Sequence, residues 1–545
     1  MASELTSGMP SVKQSRPSRL VLGVVTLVAL AAAGLAGGRS APGGVELARA
    51  ATPPRPNIVL IQADDQAADQ FSRKVMPNTE QLLVNGGTSF TNYIATTAQC
   101  CPSRASLITG QYAHNDGVTS NPVGYAGLQD KDNVLPVWLQ QSGYYTMHVG
   151  KFINGYEEVT VPPSLPAPGW DQWYVPSEAK NAYYHYTYFV NGETLHHGAQ
   201  PGDNVTHVLN RDAVRLVQTF APKTRPFYLQ LDERAPHISQ THDPFGHCGR
   251  SAQPQPRDEH AFRTAGLPQP PSFNEADMSD KPAYLQTAPK IGPTQRHVVK
   301  KHWQCALDAL QGVDRGVKQV YKAVERTGEL NRTIFIYISD NGQFYGQHRL
   351  LSGKVIPYDE ALRLPLIVKA PQRYLGARRP LRKIGRPVGN IDLAPTILNF
   401  ARAQPCPPQG QCRIMDGRSL LPLLSRSGGW PANRGLLTEY DAPDSDVQRY
   451  ATCQFAGIRT RNSIYIEHSR VVDLNTGQCV NTDERERYDL PSDPFELNNL
   501  CFGGLAANCP ADAKQLDLEA RLQQLRDCAG IAGRDPHVSG RPHCE

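Results

Sequence analysis

Asn57-Ile58-Val59-Leu60-Ile61-Gln62-Ala63-Asp64-Asp65 runs an apolar segment straight into two adjacent carboxylates. Residues 57–61 are apolar on both sides of an extended chain, which a strand covered on two faces requires, so the run reads as a buried strand of a parallel sheet. The pattern recurs along the chain. A helical stretch over residues 134–141 leads through Gly143 into an apolar strand over 144–149, ending at Gly150 and Lys151. Residues 227–231 repeat the form, and the loop after them carries His237. Following Trp303, Leu307, Leu310, Val313, Val317, Val320 and Val324 recur every three or four residues until Gly328, the signature of an amphipathic helix. Residues 333–338 then form another apolar strand, closed by Ser339, Asp340, Asn341 and Gly342.

Strands alternating with amphipathic helices predict an α/β fold, a large mixed, mostly parallel sheet sandwiched by helices. In such sheets ligands bind beyond the carboxyl ends of the strands. Asp64, Asp65, Lys151, His237, Asp340 and Asn341 all fall just past those ends, so residues far apart in sequence are expected to meet in one site. Residues 251–293, rich in Pro, Gln and Asp, read as a long irregular excursion over the sheet edge. Beyond about Pro422 the pattern changes to short β-like pieces, 455–459 and 463–467, with one helix over 511–525. Three regions result: a leader over 1–50, a catalytic region over 51–420, and a smaller C-terminal antiparallel α+β subdomain over 421–545 with a cysteine-rich tail.

Composition excludes several functions. The chain has 545 residues, 40% of them hydrophobic and 20% charged, enough for a large core. Beyond the N-terminus no apolar run approaches the roughly 18 residues of a spanning helix, which excludes a membrane transporter. Net charge is only +5, from 56 basic and 51 acidic residues scattered along the chain, so a nucleic-acid reader has no support, although a local cationic pocket is compatible. Lys13, Arg16 and Arg19 precede an apolar stretch from Leu20 to Ala36, and Ala48-Arg49-Ala50 precedes Ala51. This reads as a secretory signal, with an uncleaved N-terminal anchor as the alternative, and puts the rest of the chain outside the cytosol. Twelve cysteines agree with that compartment. Eight follow residue 400, the spacings 406 to 412 and 501 to 509 suit local bridges, and no CxxC pair suggests a zinc ribbon. With Cys100 and Cys101 set aside, ten remain for up to five disulfides.

The chemistry concentrates in a few residues. Asp64, Asp65, Asp340 and Asn341 offer only oxygen ligands, which select a hard cation such as Ca²⁺ or Mg²⁺. An Asp pair alone is more often a turn or a cap; its partners give it weight. In Thr97-Ala98-Gln99-Cys100-Cys101-Pro102-Ser103-Arg104-Ala105-Ser106-Leu107-Ile108-Thr109-Gly110, Pro102 and Ser103 open an apolar segment and place Cys100 near a helix N-terminus, where the peptide dipole favours anions. Arg104 adds a fixed positive charge one turn on. By itself the stretch would also suit a buried thiol, or two cysteines bridged to others.

This stretch resembles the Cys-x-Pro-Ser-Arg signature, followed by Thr and Gly, of the sulfatase family. The resemblance continues through Gly143, Tyr144, Thr146, Gly150 and Lys151, through Ala235-Pro236-His237, and through Ser339 to Gly342, Gly346, His348, Gly353, Lys354 and Tyr358. It extends over residues 365–368 and 392–396, over Asp416, Gly417, Ser419 and Leu420, and ends in Tyr488, Asp489, Leu490, Asp493, Pro494, Glu496 and Asn499. Within the family, Cys100-Cys101, Gly150-Lys151-Phe152-Ile153-Asn154 and residues 272–277 look most like the N-acetylglucosamine-6-sulfatase branch. Many sulfatases carry a His two positions beyond the site lysine; Ile153 stands there in this chain, which speaks against assigning a leaving-group role to that position.

The resemblance implies an alkaline phosphatase-like fold and a sulfuric ester hydrolase. It implies oxidation of Cys100 to formylglycine by a formylglycine-generating enzyme. The hydrated aldehyde offers one hydroxyl to attack sulfur and a second whose deprotonation releases sulfate, an exit that a plain serine lacks. It implies a cation, Ca²⁺ or alternatively Mg²⁺, on Asp64, Asp65, Asp340, Asn341 and position 100. Arg104 would orient the diol, Lys151 and Lys354 would neutralise sulfate oxygens, and His237 would bind sulfate or protonate the departing oxygen. His348 fits either the rim of the site or a structural hydrogen bond. The implied substrate is a sulfated carbohydrate, 6-O-sulfated N-acetylglucosamine or glucosamine in sulfated glycans, or a small sulfate ester. The competing readings are a generic arylsulfatase, a phosphatase or phosphodiesterase of the alkaline phosphatase superfamily, and a secreted sulfoglycan-binding protein whose Cys100 stays a thiol.

Overall fold

The computed structural model describes residues 53–221, 224–443 and 452–545; the leader read over residues 1–50 lies outside the described residues. The opening run forms β1 (Asn57–Ala63), buried at every position. Its side chains divide between two apolar layers, Val59, Ile61 and Ala63 entering one and Ile58 and Leu60 the other. A strand apolar on both sides is stable only with both faces covered, and each large aliphatic side chain buried this way contributes roughly 1.5–3 kcal/mol.

The other strands of this sheet are β2 (Thr88–Ile94), β3 (Tyr145–Gly150), β4 (Gln172–Pro176), β5 (Thr187–Val190), β6 (Glu193–His196), β7 (Phe227–Asp232), β8 (Thr333–Ser339), β9 (Arg363–Lys369), β10 (Lys383–Ile384) and β11 (Val388–Gly389). The order is β10-β2-β9-β8-β1-β7-β3-β4-β5-β6, with β11 also on β2. β1 lies parallel between β7 and β8, and β3 is parallel to β7, so Ala63, Gly150, Asp232 and Ser339 end at the same edge. β9 runs antiparallel between β2 and β8, and β5 and β6 close the far side as antiparallel strands. The sheet is therefore mixed and mostly parallel around the site, as the sequence predicts.

Helices cover both faces. Those that matter here are α1 (Cys100–Thr109), α2 (Leu135–Gln141), α3 (Val205–Phe220), α4 (Pro293–Arg326), α5 (Leu393–Ala401) and α6 (Ala513–Arg526). Leu209 and Leu216 of α3 and Leu310, Val313, Val317 and Val320 of α4 pack into the layer that holds Val59 and Ile61. Leu107 of α1, Trp138 of α2 and Ile397 of α5 fill the opposite layer. The helix read after Trp303 begins at Pro293, a residue suited to a first turn. Its first turns are polar, with Val299 as their buried residue, so no apolar period announces them.

The segment over 251–293 is mostly irregular. It lies along α4, where the Asp308 carboxylate accepts from the backbone N–H groups of His260 (3.1 Å) and Phe262 (2.7 Å). It also braces the loop after β8, where Asn274 N–H donates to the Gly346 carbonyl at 2.8 Å.

A second sheet, antiparallel, takes the order β12 (Leu436–Asp441), β13 (Thr452–Arg459), β14 (Ser463–Asp473) and β15 (Gln478–Asp489). β15 escaped the sequence reading because its first half is polar and largely exposed along a sheet edge. Leu518, Leu522 and Leu525 of α6 join Leu437, Ile458 and Tyr465 of this sheet in one apolar cluster with Ile94, Phe344, Tyr358 and Ile391. The second sheet thus buttresses the loop after β8. Five disulfides, Cys248–Cys305, Cys406–Cys412, Cys453–Cys479, Cys501–Cys509 and Cys528–Cys544, use ten cysteines. Cys100 and Cys101 are free and buried.

Candidate active site

Four parallel strand ends, those of β1, β3, β7 and β8, and one helix start build the site. Asp64 and Asp65 follow β1, and Asp65 adopts a left-handed backbone (φ 69°), which Asp tolerates better than most residues. Asp64 N–H donates to the Ala235 carbonyl at 3.2 Å and Asp65 N–H to Asp340 Oδ1 at 3.1 Å, so the ends of β1, β7 and β8 are tied together. β3 ends in Gly150 at φ 117°. A Cβ there would lie 1.8 Å from the Asp232 carbonyl oxygen, so glycine alone lets Lys151 leave the strand where it does. Lys151 N–H then donates to that same carbonyl at 2.9 Å.

Cys100 opens α1 with 1% of its surface exposed. Its Sγ lies 3.5 Å from Asp64 Oδ1 and 2.9 Å from Lys354 Nζ. Burial first, and the Asp64 carboxylate second, push this thiol far above its ordinary range, so the unmodified side chain is protonated. Lys151 Nζ meets Asp64 Oδ2 at 2.7 Å, and Lys354 Nζ also bonds Asp65 Oδ1. Lys354 is followed by Val355 at φ 84°, a rare conformation for a β-branched residue, pinned by its N–H to the Ala98 carbonyl at 3.1 Å. Burial alone would raise the Asp64 carboxyl, but Lys151, His237, Arg104 and Lys354 together hold it well below its usual range.

Arg104, 3% exposed, clamps Asp340 through Nε (3.0 Å) and one terminal nitrogen (2.8 Å), and its other terminal nitrogen donates to the Lys151 carbonyl at 3.0 Å. Its contacts are thus with carboxylates and the end of β3. Asn341 donates its amide to Asp65 Oδ1 at 2.6 Å and to the Gly342 carbonyl, while its Oδ1 is buried without a hydrogen-bond partner. His237, 13% exposed, has Nδ1 2.6 Å from the Ile238 carbonyl and Nε2 3.6 Å from Asp65 Oδ2. The carbonyl fixes the tautomer with hydrogen on Nδ1, leaving Nε2 as the basic nitrogen, and burial keeps the imidazole below its ordinary value despite Asp65 and Asp64.

All nine residues predicted from sequence, Asp64, Asp65, Cys100, Arg104, Lys151, His237, Asp340, Asn341 and Lys354, therefore lie in one cluster. One ligand atom each from Asp64, Asp65, Cys100 and His237 falls within 4.8 Å of the others. The donor set fits a hard cation: Asp64, Asp65, Asp340 and Asn341 supply oxygens, and the orphaned Asn341 Oδ1 is a buried acceptor that such an ion would satisfy.

Sequence reasoning missed three participants. Asp232, the last residue of β7, faces Arg104 at 3.7 Å and accepts from Gln230 at 2.7 Å; burial lifts it to about 7 against the pull of Arg104. His302 feels Asp65 and His237, and burial holds it at about 4. It sits on α4 one residue before the stretch read as helix. His148 is fully buried between Trp170, Trp173 and Phe152, and burial holds it neutral at about 3. Ile153 is buried in the apolar layer beneath. His348 bonds Glu275 Oε2 at 2.7 Å and faces Glu360 at 3.7 Å. Burial would lower it, but the two carboxylates lift it to about 9, so it is a charged brace between the irregular segment and the loop after β8.

The chain belongs to the sulfatase family, whose sequence pattern matches residues 56–403. The pattern described as N-sulphoglucosamine sulphohydrolase, C-terminal, matches residues 346–527. An arylsulfatase of Volvox carteri is 32% identical over 540 residues, covering 91% of this chain and 78% of that one. The N-acetylglucosamine-6-sulfatase of Homo sapiens is 28% identical over 529 residues, covering 89% and 87%. Among solved structures, a protein in complex with its substrate D-glucosamine-2-N,6-O-disulfate superposes with a TM-score of 0.66 at 23% identity, covering 86% of this chain and 97% of that one. The fold is the alkaline phosphatase-like sheet of the sulfatases, and the enzyme is a sulfatase.

Proposed function

We propose that this sulfatase hydrolyses the 6-O-sulfate of N-acetylglucosamine or glucosamine units in sulfated glycans, with position 100 carried as formylglycine. The carrying observation is the seat of Cys100, whose Sγ stands between Asp64 and Lys354 at a helix N-terminus and outside every disulfide. The similarity to N-acetylglucosamine-6-sulfatases supports the choice of sugar. Asp64, Asp65, Asp340, Asn341 and position 100 would hold Ca²⁺, or alternatively Mg²⁺, which when bound supplies Lewis-acid polarisation of oxygen. The formylglycine hydrate supplies two hydroxyls on one carbon, one to attack sulfur and one whose deprotonation expels sulfate.

The remaining work falls to this chain's own side chains. Asp64, Asp65 and Asp340 are balanced by Arg104, Lys151 and Lys354, three charges against three. With a divalent cation held there, this neutral set would become cationic, a charge suited to a sulfate monoester. Lys151 and Lys354 neutralise the sulfate oxygens as charge shifts in the transition state. His237 exchanges a proton with the sugar oxygen through Nε2. Arg104 is a positioning residue that fixes Asp340 and the end of β3. Residues 51–420 form the catalytic region, residues 421–545 its buttress, and the disulfides support an extracytoplasmic site of action after export through the leader.

Mass spectrometry of the peptide spanning Cys100, from protein made in its native host, tests the nucleophile: an aldehyde or its hydrate is expected, and a plain thiol in active enzyme would overturn it. A panel of sulfated monosaccharides and glycosaminoglycan oligosaccharides tests the substrate. Activity on an aryl sulfate with none on any 6-sulfated hexosamine would refute that choice.

A further inference from the structure

The scatter of basic residues has one exception. Arg373, Arg378, Arg379, Arg382, Lys383 and Arg386 fall within a stretch that contains no Asp or Glu, in a chain whose whole net charge is +5. Five of the six are exposed and Arg386 is half-buried. None forms an ion pair among the described residues. Where their guanidinium groups are bonded, backbone carbonyls accept: Asn331 for Arg373, Arg426 for Arg378 at 3.1 Å, and Ala432 for Arg386 at 3.0 Å. Carbonyl anchoring fixes these side chains without cancelling their charge. Arg426 and Arg402, also exposed, extend the patch on either side; Arg378 bonds the carbonyl of Arg426, while Arg402 and Tyr374 both bond the chain at Pro53 and Pro54.

The patch lies away from the catalytic centre. Ser89 N–H donates to the Arg382 carbonyl and Lys383 pairs with Ser89 near the start of β2, whereas the other end of β2 leads toward Cys100. About six residues of strand, roughly 20 Å, separate the two levels. Seven of these eight side chains are arginines, whose planar fork matches sulfate and carboxylate oxygens in pairs.

We propose that this arginine face is an exosite for a sulfated polysaccharide. It takes a run of the polymer remote from the sulfate being cleaved and raises the effective concentration of the remaining sulfates at the site. The identity of the anion rests on the proposed function; the unpaired charge does not. The test compares the full chain with Arg378→Glu/Arg379→Glu/Arg382→Glu, each also in a Cys100→Ala background that prevents turnover during binding. Heparin affinity at physiological salt is expected to fall at least tenfold in the triple variant. With Cys100 retained, the KM for a sulfated polymer should rise by a similar factor while turnover of a 6-sulfated monosaccharide is unchanged. Equal heparin affinity, or tighter binding to phosphatidylglycerol vesicles than to heparin, would overturn the exosite. Loss of monosaccharide turnover in the variant would place its effect in the catalytic site and overturn it as well. A wild-type enzyme inactive on every 6-sulfated sugar refutes the functional reading instead, whatever the heparin result.

Discussion

Arg104→Met removes the clamp on Asp340 while keeping most of the side-chain volume. Arg104 is 3% exposed and gives Asp340 two charge-assisted bonds, at 3.0 and 2.8 Å, and the Lys151 carbonyl a third at 3.0 Å. Removing one partner of a buried ion pair costs about 3–5 kcal/mol, and an orphaned carbonyl adds about 1 kcal/mol. The expected loss is therefore about 4–6 kcal/mol, a large part of the stability of an ordinary domain. Arg104→Lys keeps the charge but not the fork, and should lose roughly half as much. Urea titrations followed by tryptophan fluorescence, in chelator so that a bound cation does not mask the deficit, read the difference in midpoint. A Met variant that unfolds with wild type, or a Lys variant as damaged as Met, would refute the account of Arg104 as the ionic partner of Asp340.

Gly150→Ala should be worse than a surface change by several kcal/mol, because its Cβ meets the Asp232 carbonyl at 1.8 Å; thermal denaturation and activity should fall together, and a normal melting point would contradict the geometry. Lys354→Met is expected to lower kcat/KM by about 10²–10³ with circular dichroism unchanged, as for loss of one preorganised donor. His114 lies outside the site, with Nδ1 3.0 Å from both Glu439 oxygens and Nε2 3.1 Å from the Cys528 carbonyl. Burial lowers it, but Glu439 and that carbonyl lift it to about 9. A folded value above the unfolded one of about 6.5 makes this contribution complete below pH 6.5 and lost as pH rises through 9. The amount is about 3 kcal/mol, and His114→Gln should flatten that part of the stability profile; an identical pH slope would exclude the pair.

Much of this was legible because the site hangs on strands whose two faces are both apolar. In β1 and β8 a hydrophobic run gives way within one or two residues to a carboxylate, and that change of character marks the strand end. The bridges Cys406–Cys412 and Cys501–Cys509 were legible from their local spacing, whereas Cys100 and Cys101 were set aside for their place in the motif and the other pairings were left open. What stayed hidden lacks such contrast. The polar first turns of α4 carry His302, and the polar half of β15 lies on a sheet edge, so neither shows a period. Asp232 and Glu233 also close an apolar strand as adjacent carboxylates, a signal the reading of the sequence passed over because no motif residue stood beside them. The arginine face was diluted in the balanced totals, since its unpaired state depends on partners that only the folded chain reveals.

The seal around position 100 has a consequence for biosynthesis. With 1% of its surface reachable and α1 packed against the sheet beneath the second apolar layer, that sulfur is out of reach of any other macromolecule once the chain is native. Under the proposed formylglycine chemistry, a maturation catalyst would have to meet the polypeptide and finish before the core closes. The ratio of folding rate to conversion rate, rather than the amount of protein made, would then set what fraction of molecules becomes competent.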